Sequence, residues 1–404
     1  FYWYFPAEEV PPSQAPLVVW LQGGPGSSSM VGLFYEHGPF IATDEGTLLR
    51  RPTSWSKSYN MLYVDQPVGT GFSYAPGRAD NLTGSARPLT FNRCNAGGYV
   101  TNQQEVARHF VYFLEQFYQR YPHLRERPLY LSGESYAGKF IPSIAHGVLQ
   151  HNKQKVMIDI CLFTVALPSS LRLGNGLTVP EIQVKYHAQE ASSFGLISHE
   201  QMKKMQPVCD DAAQNAAAGK YLPALQSRLQ MFEMFAEFTS NVNNYDIRMV
   251  DKVYPRAQMK KVLRSRKVRK ALHTNGHRFH KDKAVYDCLA TDIMQSTGGL
   301  FPELLLHYRI LLFQAQFDFR DGPVGSEAWI RQIQWPEQKA FNEAPRKAWR
   351  TSDQPGGLAG YVTEHANLSH AIVLNGGHFS PADVPEAIMH MLNRWMAKQS
   401  IAAA

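Results

Sequence analysis

Short, unbroken apolar runs, each ended by glycine, proline or small polar residues, dominate the first part of the chain. Leu17-Val18-Val19-Trp20-Leu21 runs into Gly23-Gly24-Pro25-Gly26. Met61–Val64 runs into Asp65-Gln66-Pro67-Val68-Gly69, and Pro128–Ser132 into a glycine turn. Runs without polar alternation suit strands buried on both faces. Between them, Val100–Tyr121 carries a helical period, with Val106, Phe110, Phe113, Leu114 and Phe117 on one face. After the third run, Ile141, Ile144, Ala145 and Val148 repeat in the same way. Buried strands alternating with amphipathic helices predict an α/β fold with a mainly parallel central sheet flanked by helices. The opening Phe1–Pro6 reads as the middle of a strand, with no initiator Met or leader, as in a fragment or processed form.

The pattern changes from about Glu181 to Gly299, where β-branched runs give way to Ala, Gln, Met, Lys and Phe. Gln201–Met205, Leu222–Phe238 and Met259–Leu272 read as helices. Strand patterns return at Arg309–Phe313 and Ala371–Leu374, and a last helix covers Val384–Lys398. The organisation expected is a core in two parts, 1–180 and 300–404, with 181–299 inserted as a helical cap. Such a cap would lie over the strands' C-terminal edge, where open α/β folds bind ligands. Ile158–Leu173 fits the alternation poorly, joining an apolar run to a loop.

Composition narrows the class further. The 404 residues are 44% apolar and 19% charged, ordinary for a globular protein. The balance of 41 Lys and Arg against 34 Asp and Glu, +7, is mild and demands no acidic partner. No apolar run approaches the length of a membrane span. The four cysteines Cys94, Cys161, Cys209 and Cys288 are too few for a disulfide scaffold and form no CxxC pair. Asn81-Leu82-Thr83 and Asn367-Leu368-Ser369 are glycosylation sequons.

The chemistry concentrates at three glycine-bearing turns. Gly133-Glu134-Ser135-Tyr136-Ala137-Gly138 lies between a strand and a helix, as a nucleophile elbow does, with Ala137 where the motif has its last glycine. The competing reading is a serine that only caps the following helix. A nucleophilic serine needs a base and an orienting carboxylate, in the order Ser, Asp, His for an α/β hydrolase. Asp318 and His378 each follow a late strand in that order. Gln22–Ser29 is glycine-rich, which lets backbone approach a substrate, and the N–H groups of Gly24 and Tyr136 would form an oxyanion hole. A phosphate cradle is disfavoured because the P-loop lysine and spacing are missing. Glu36 and Glu134, if both face the site, would share a proton at acid pH and read a substrate carboxylate; otherwise they are ordinary surface or salt-bridged glutamates.

These segments resemble the serine carboxypeptidases, most of all the vitellogenic carboxypeptidase-like members. The resemblance is carried by FYWYFPA at Phe1, WLQGGPGSSSMVGLFYEHGPF from Trp20, LYVDQPVGTGFSY from Leu62 and GESYAGKFIPSIA from Gly133. It continues through GNGLTVP from Gly174, VRKALH from Val268, AQFDFRDGPVG from Ala315 and NGGHFSPADVP from Asn375. It implies an α/β-hydrolase fold and release of C-terminal amino acids from peptides or proteins through an acyl-enzyme. Ser135 would be the nucleophile, His378 the base and Asp318 its orienter, with Gln22, Gly23, Glu36 and Glu134 holding the substrate carboxylate. No metal or other cofactor is implied. A secretory, extracellular or lysosome-like compartment is implied, with Cys209–Cys288 as a cap disulfide among three allowed pairings. Gln22 stands where many members have Asn, and Ala315 where Gly is usual. Ile158–Leu173 is longer than the family pattern, whose strand leads directly into GNGLT.

Rival readings remain at this level. An acyltransferase or esterase would use the same serine with another acceptor. A non-catalytic secreted binding homologue would keep the fold alone. A zinc carboxypeptidase would need ligands; His187-Ala188-Gln189-Glu190 spells HxxE but reads as a solvated helix face. Lys260–Lys270 is basic, and its apolar positions suit a docked helix better than a nucleic-acid or membrane surface. A homodimer is compatible with the sequence.

Overall fold

Strands appear where the apolar runs require them. A computed structural model describes residues 1–75, 94, 97–157, 168–250, 256–274, 276–277, 279, 283–352 and 357–402. The early elements are β1 (Tyr2–Phe5), β2 (Leu17–Leu21), β3 (Phe40–Ala42), β4 (Leu48–Arg50), β5 (Asn60–Val64), α1 (Gln103–Arg120), β6 (Leu129–Ser135), α2 (Ala137–Met157) and β7 (Pro168–Gly176). The helical stretch holds α3 (His187–Ser193), α4 (His199–Ala217), α5 (Tyr221–Phe238), α6 (Arg256–Arg264), α7 (Arg266–Ala271) and α8 (Lys283–Cys288). The chain closes with α9 (Phe301–His307), β8 (Arg309–Ala315), α10 (Pro323–Ile330), β9 (Lys347–Arg350), β10 (Leu358–His365), β11 (Leu368–Val373) and α11 (Pro385–Met396).

The chain forms two interleaved units. One joins Phe1–Leu171 to Val253–Leu289, the other Arg172–Lys252 to Ala290–Ala404. In the first, the strand order is β1-β5-β2-β6. β2 lies parallel to both neighbours, and β1 is antiparallel to β5. All five residues of β2 are buried, which is why its run is apolar on both faces. α1 buries Val106, Phe110, Leu114 and Phe117 along one side and is capped by Asn102, whose side chain accepts from the Glu105 N–H. It packs on α2, where a Cβ added at Gly147 would lie 3.0 Å from that of Ala107.

In the second unit, β7 from Arg172 onward heads the order β7-β8-β11-β10-β9. β8 and β11 are parallel, and β10 runs antiparallel to both of its neighbours. α4 and α5 form a hairpin, opened by a capping box between Ser198 and Gln201.

Two expectations need correction here. Cys288 is bonded to Cys94, and Cys209 is a free thiol buried on α4 beside α3. Cys209 sits on the apolar α4 face with Met205, Ala212 and Ala213, a position that buries a small side chain. The helix expected over Met259–Leu272 is two helices, because Ser265 adopts an extended ψ of 129° between them. Met259, Val262 and Leu263 of α6 are buried, as a docked basic helix requires, whereas α7, which carries Val268, has no buried residue. Of Ile158–Leu173, residues 158–167 lie outside the described residues, as do Asn81 and Cys161; the rest enters β7.

Candidate active site

Ser135 closes β6, and its φ of 61° lies in the left-handed region, which a non-glycine residue occupies at a cost. The chain turns there directly into α2, beginning at Ala137. Packing explains the small flanking residues. A Cβ on Gly133 would meet the Leu21 carbonyl oxygen at 2.3 Å and the Ala137 Cβ at 2.7 Å. Ala137 is therefore compatible with the elbow, while a larger side chain at Gly133 is not. The glycine-rich loop after β2 crosses the same turn: a Cβ on Gly23 would fall 2.5 Å from the Tyr136 nitrogen and 2.7 Å from the Ser135 Cβ. Next to it, Gly24 has a φ of 112°, open only to glycine in practice.

This loop is held from beneath by Asp65. Its carboxylate accepts from Ser28 Oγ at 2.5 Å, the Ser29 N–H at 3.1 Å and the Phe72 N–H at 3.0 Å. Burial raises the Asp65 carboxyl, and these donors oppose the rise. Gln22 is fixed at both ends of its amide. Oε1 accepts from the Trp20 indole at 2.9 Å, and Nε2 donates to Glu134 Oε1 at 2.6 Å. Gln22 and Glu134 thus meet.

Glu36 ends a π-helical turn, Gly32–Glu36, and is fully buried. It adds to the rise of the Tyr63 phenol, which burial pushes well up and Arg51 opposes. The surface-glutamate alternative fails for Glu36 and Glu134 alike, since both are buried.

In the second unit, Asp318 and His378 form a buried pair. His378 Nδ1 donates to Asp318 Oδ2 at 2.7 Å, which leaves Nε2 as the basic nitrogen. Asp318 Oδ1 accepts from the backbone N–H groups of Arg320 and Asp321. Burial raises the Asp318 carboxyl, and the His378 contact offsets part of the rise.

Residues to which the sequence assigned no role lock this pair. Asn175, at a φ of 46°, accepts from the Ala315 N–H at 2.7 Å and donates to the His378 carbonyl at 2.7 Å. Ala315, where glycine is usual, has a buried β8 environment and leaves that contact intact. The His378 N–H donates to the Tyr245 carbonyl at 2.7 Å, and the Tyr245 ring meets the imidazole edge-on. Arg248 binds Asp246 twice and the Asn375 carbonyl once.

The HxxE helix face is also corrected. His187 and Glu190 are buried, not solvated, because α3 packs its inner side against the Asp318 loop, where His187 Nε2 lies 3.2 Å from the Arg320 carbonyl. No group of three or more His, Cys, Asp or Glu side chains poised for a metal occurs among the described residues. Asn367 is half-buried in the β10–β11 turn, with its amide donating to the Leu305 carbonyl.

Comparison with known proteins decides the lineage. The family model for serine carboxypeptidases matches residues 1–398. The chain belongs to the serine carboxypeptidase family. It is 32% identical to the venom serine carboxypeptidase of Apis mellifera, over 98% of this chain and 80% of that protein. It is 29% identical to the human protein named "Probable serine carboxypeptidase CPVL", over 98% of this chain and 79% of that protein. Among solved structures it is similar to Kex1(delta)p, a prohormone-processing carboxypeptidase from Saccharomyces cerevisiae. The TM-score is 0.83 at 24% identity, covering 98% of this chain and 86% of that one. That likeness shows the fold, the α/β-hydrolase fold of a serine carboxypeptidase. Family and relatives make this a serine-type carboxypeptidase.

Proposed function

We propose that the chain removes C-terminal amino acids from peptides through an acyl-enzyme on Ser135, at acid pH. His378 Nε2 takes the serine proton and later returns it to the leaving amine, while Asp318 holds the imidazole in the tautomer with Nδ1 protonated. The Gly24 and Tyr136 N–H groups receive the developing oxyanion. Gln22, Gly23, Glu134 and Glu36 bind the substrate's terminal carboxylate.

The observation that carries this reading is the 2.6 Å contact of Gln22 with Glu134, the residue beside the nucleophile. A carboxylate brought against Glu134 is repelled unless a proton is shared, so binding favours acid pH. Secretory or lysosome-like placement, with Asn81 and Asn367 as glycan acceptors, completes the proposal. The Cys94–Cys288 disulfide supports it, since such bonds persist in oxidising compartments. Among the described residues, no helix is long and apolar enough to cross a membrane.

The test is release of free amino acid from a blocked dipeptide between pH 4 and pH 8, beside its C-terminal amide and the Ser135→Ala protein. Release from the free acid, strongest at acid pH and reduced by about 10⁴-fold or more in the variant, is expected. Equal turnover of acid and amide would replace the exopeptidase reading with an esterase or amidase one.

A further inference from the structure

The catalytic acid has a second carboxyl beside it. Glu190 lies on α3, in the second unit with Asp318 and His378, and is only 3% exposed. Both of its carboxyl oxygens rest on Gly322, at the entry to α10: a Cβ on Gly322 would lie 2.5 Å from Oε1 and 2.6 Å from Oε2. The same Cβ would lie 2.6 Å from the Asp318 carbonyl oxygen, so Glu190 abuts the loop that carries the acid. The Val324 N–H, in the first turn of α10, binds the carboxyl. Oε1 has no hydrogen-bond partner among the described residues.

The surrounding charges are few and mostly committed. On the loop, Asp318 faces His378, Asp321 pairs with Arg228 of α5 at 3.2 Å, and the Arg320 guanidinium lies over the Phe232 and Tyr245 rings. His187, one turn earlier on α3, is buried, with its pKa pushed down to about 4, and is neutral above that. On α4, the inward Cys209 thiol is pushed up to about 12 and stays uncharged. On α10, Glu327 binds Arg346 at 2.7 Å. No cation pairs with Glu190 among the described ion pairs. A negative charge there would therefore be buried beside Asp318 with one backbone donor to meet it.

We propose that Glu190 is a positioning residue for the catalytic acid: a neutral carboxyl that braces the Asp318 loop against α10 and sets the alkaline limit of activity when it ionises. The idea rests on the assignment of Asp318 and His378 given above. Burial, and after it the charge of Asp318, pushes the Glu190 carboxyl well above the usual carboxylate range, with Val324 opposing. Ionisation places two negative charges beside one another. It loosens the loop and favours protonated His378, so the base is lost.

The sign for stability follows. A carboxyl raised on folding contributes stability that is complete below its ordinary value of 4.5 and is lost as pH rises through the raised one.

The experiment compares wild type with Glu190→Gln, which keeps shape and an acceptor for Val324 but cannot ionise. Two profiles are recorded from pH 4 to pH 9: kcat/KM on a blocked dipeptide, and melting temperature. The variant should retain activity at acid pH, move its alkaline limb upward by about one unit or more, and lose less melting temperature as pH rises. Superimposable profiles in both measurements would overturn the proposal. Where Glu190→Gln does not fold, Glu190→Met, which fills the space without an ionisable group, is judged by the same two profiles: a raised alkaline limb and a flatter melt support the proposal, and profiles superimposable on wild type overturn it. Failure of the triad assignment is read separately, from fluorophosphonate labelling that persists in Ser135→Ala. The melting profiles judge Glu190 in either case.

Discussion

At the scale of single residues, Gln22 is the member of the proposed carboxylate site most directly tied into the fold. Its amide oxygen is spent on Trp20 and its amide nitrogen on Glu134, so it is oriented before substrate arrives. Gln22→Ala should raise KM for a blocked dipeptide by about 10- to 100-fold with a smaller effect on kcat, and should affect the C-terminal amide less. Steady-state kinetics on the two substrates checks this. Gln at this position supplies an amide donor, and Nε2 uses it on Glu134. Asn175, though part of the GNGLTVP segment, carried no sign of its role. A glycine-flanked asparagine reads as a turn, yet its side chain ties the end of β8 to the His378 carbonyl.

At the scale of elements, the α4–α5 hairpin and α3 form the bed of the acid loop. Arg228 of α5 is almost wholly buried and pairs with the equally buried Asp321, while Phe235 stacks on Phe319 with ring centres 3.9 Å apart. Removing one partner leaves a buried charge without its counter-ion. Arg228→Ala should therefore cost about 3–5 kcal/mol of unfolding free energy, read by denaturant titration. Arg228→Met, which fills the space but leaves Asp321 alone, should recover only the packing part.

The sequence made the parallel strands legible because two-sided burial forces unbroken apolar runs, as in β2 and β8. It made the elbow legible because glycine and alanine are required where backbone meets backbone at Gly133. It did not reveal β9 and β10, whose antiparallel edge has exposed positions at Lys347, Ala348 and Tyr361 and thus no continuous run. The burial of His187 and Glu190 was hidden for a different reason. A polar helix face looks solvated until the loop packed on it is known. The disulfide was equally hidden, because spacing says nothing of which cysteines fold together.

At the scale of the whole molecule, buried titrating groups bound the pH range of stability on both sides. His187 and His370 are neutral in the fold, each pushed down to about 4 primarily by burial, against an ordinary value of 6.5. Between those values the unfolded chain binds more protons, so stability falls as pH drops from 6.5 towards 4, by about 3 kcal/mol per histidine at most. Glu190 and Asp318, raised in the fold, remove stability in the opposite direction as pH rises. The melting temperature should therefore peak at mildly acidic pH. His370→Gln, facing Gln314, should flatten the acid side if it folds. Calorimetric melts from pH 4 to pH 9 test both flanks.

The interleaving of the two units has a consequence for how the polypeptide is made. The first unit draws on residues up to Leu171 and again on Val253–Leu289, and its Cys94 is bonded to Cys288. A ribosome delivers the chain from one end only. While the intervening segment is being synthesised, the N-terminal part must wait with an unmatched thiol and an unfinished surface. For that interval it depends on whatever in its surroundings prevents premature pairing or aggregation. A nascent chain arrested before Cys288 can complete neither the bond nor the unit it closes, however well its first strands have formed.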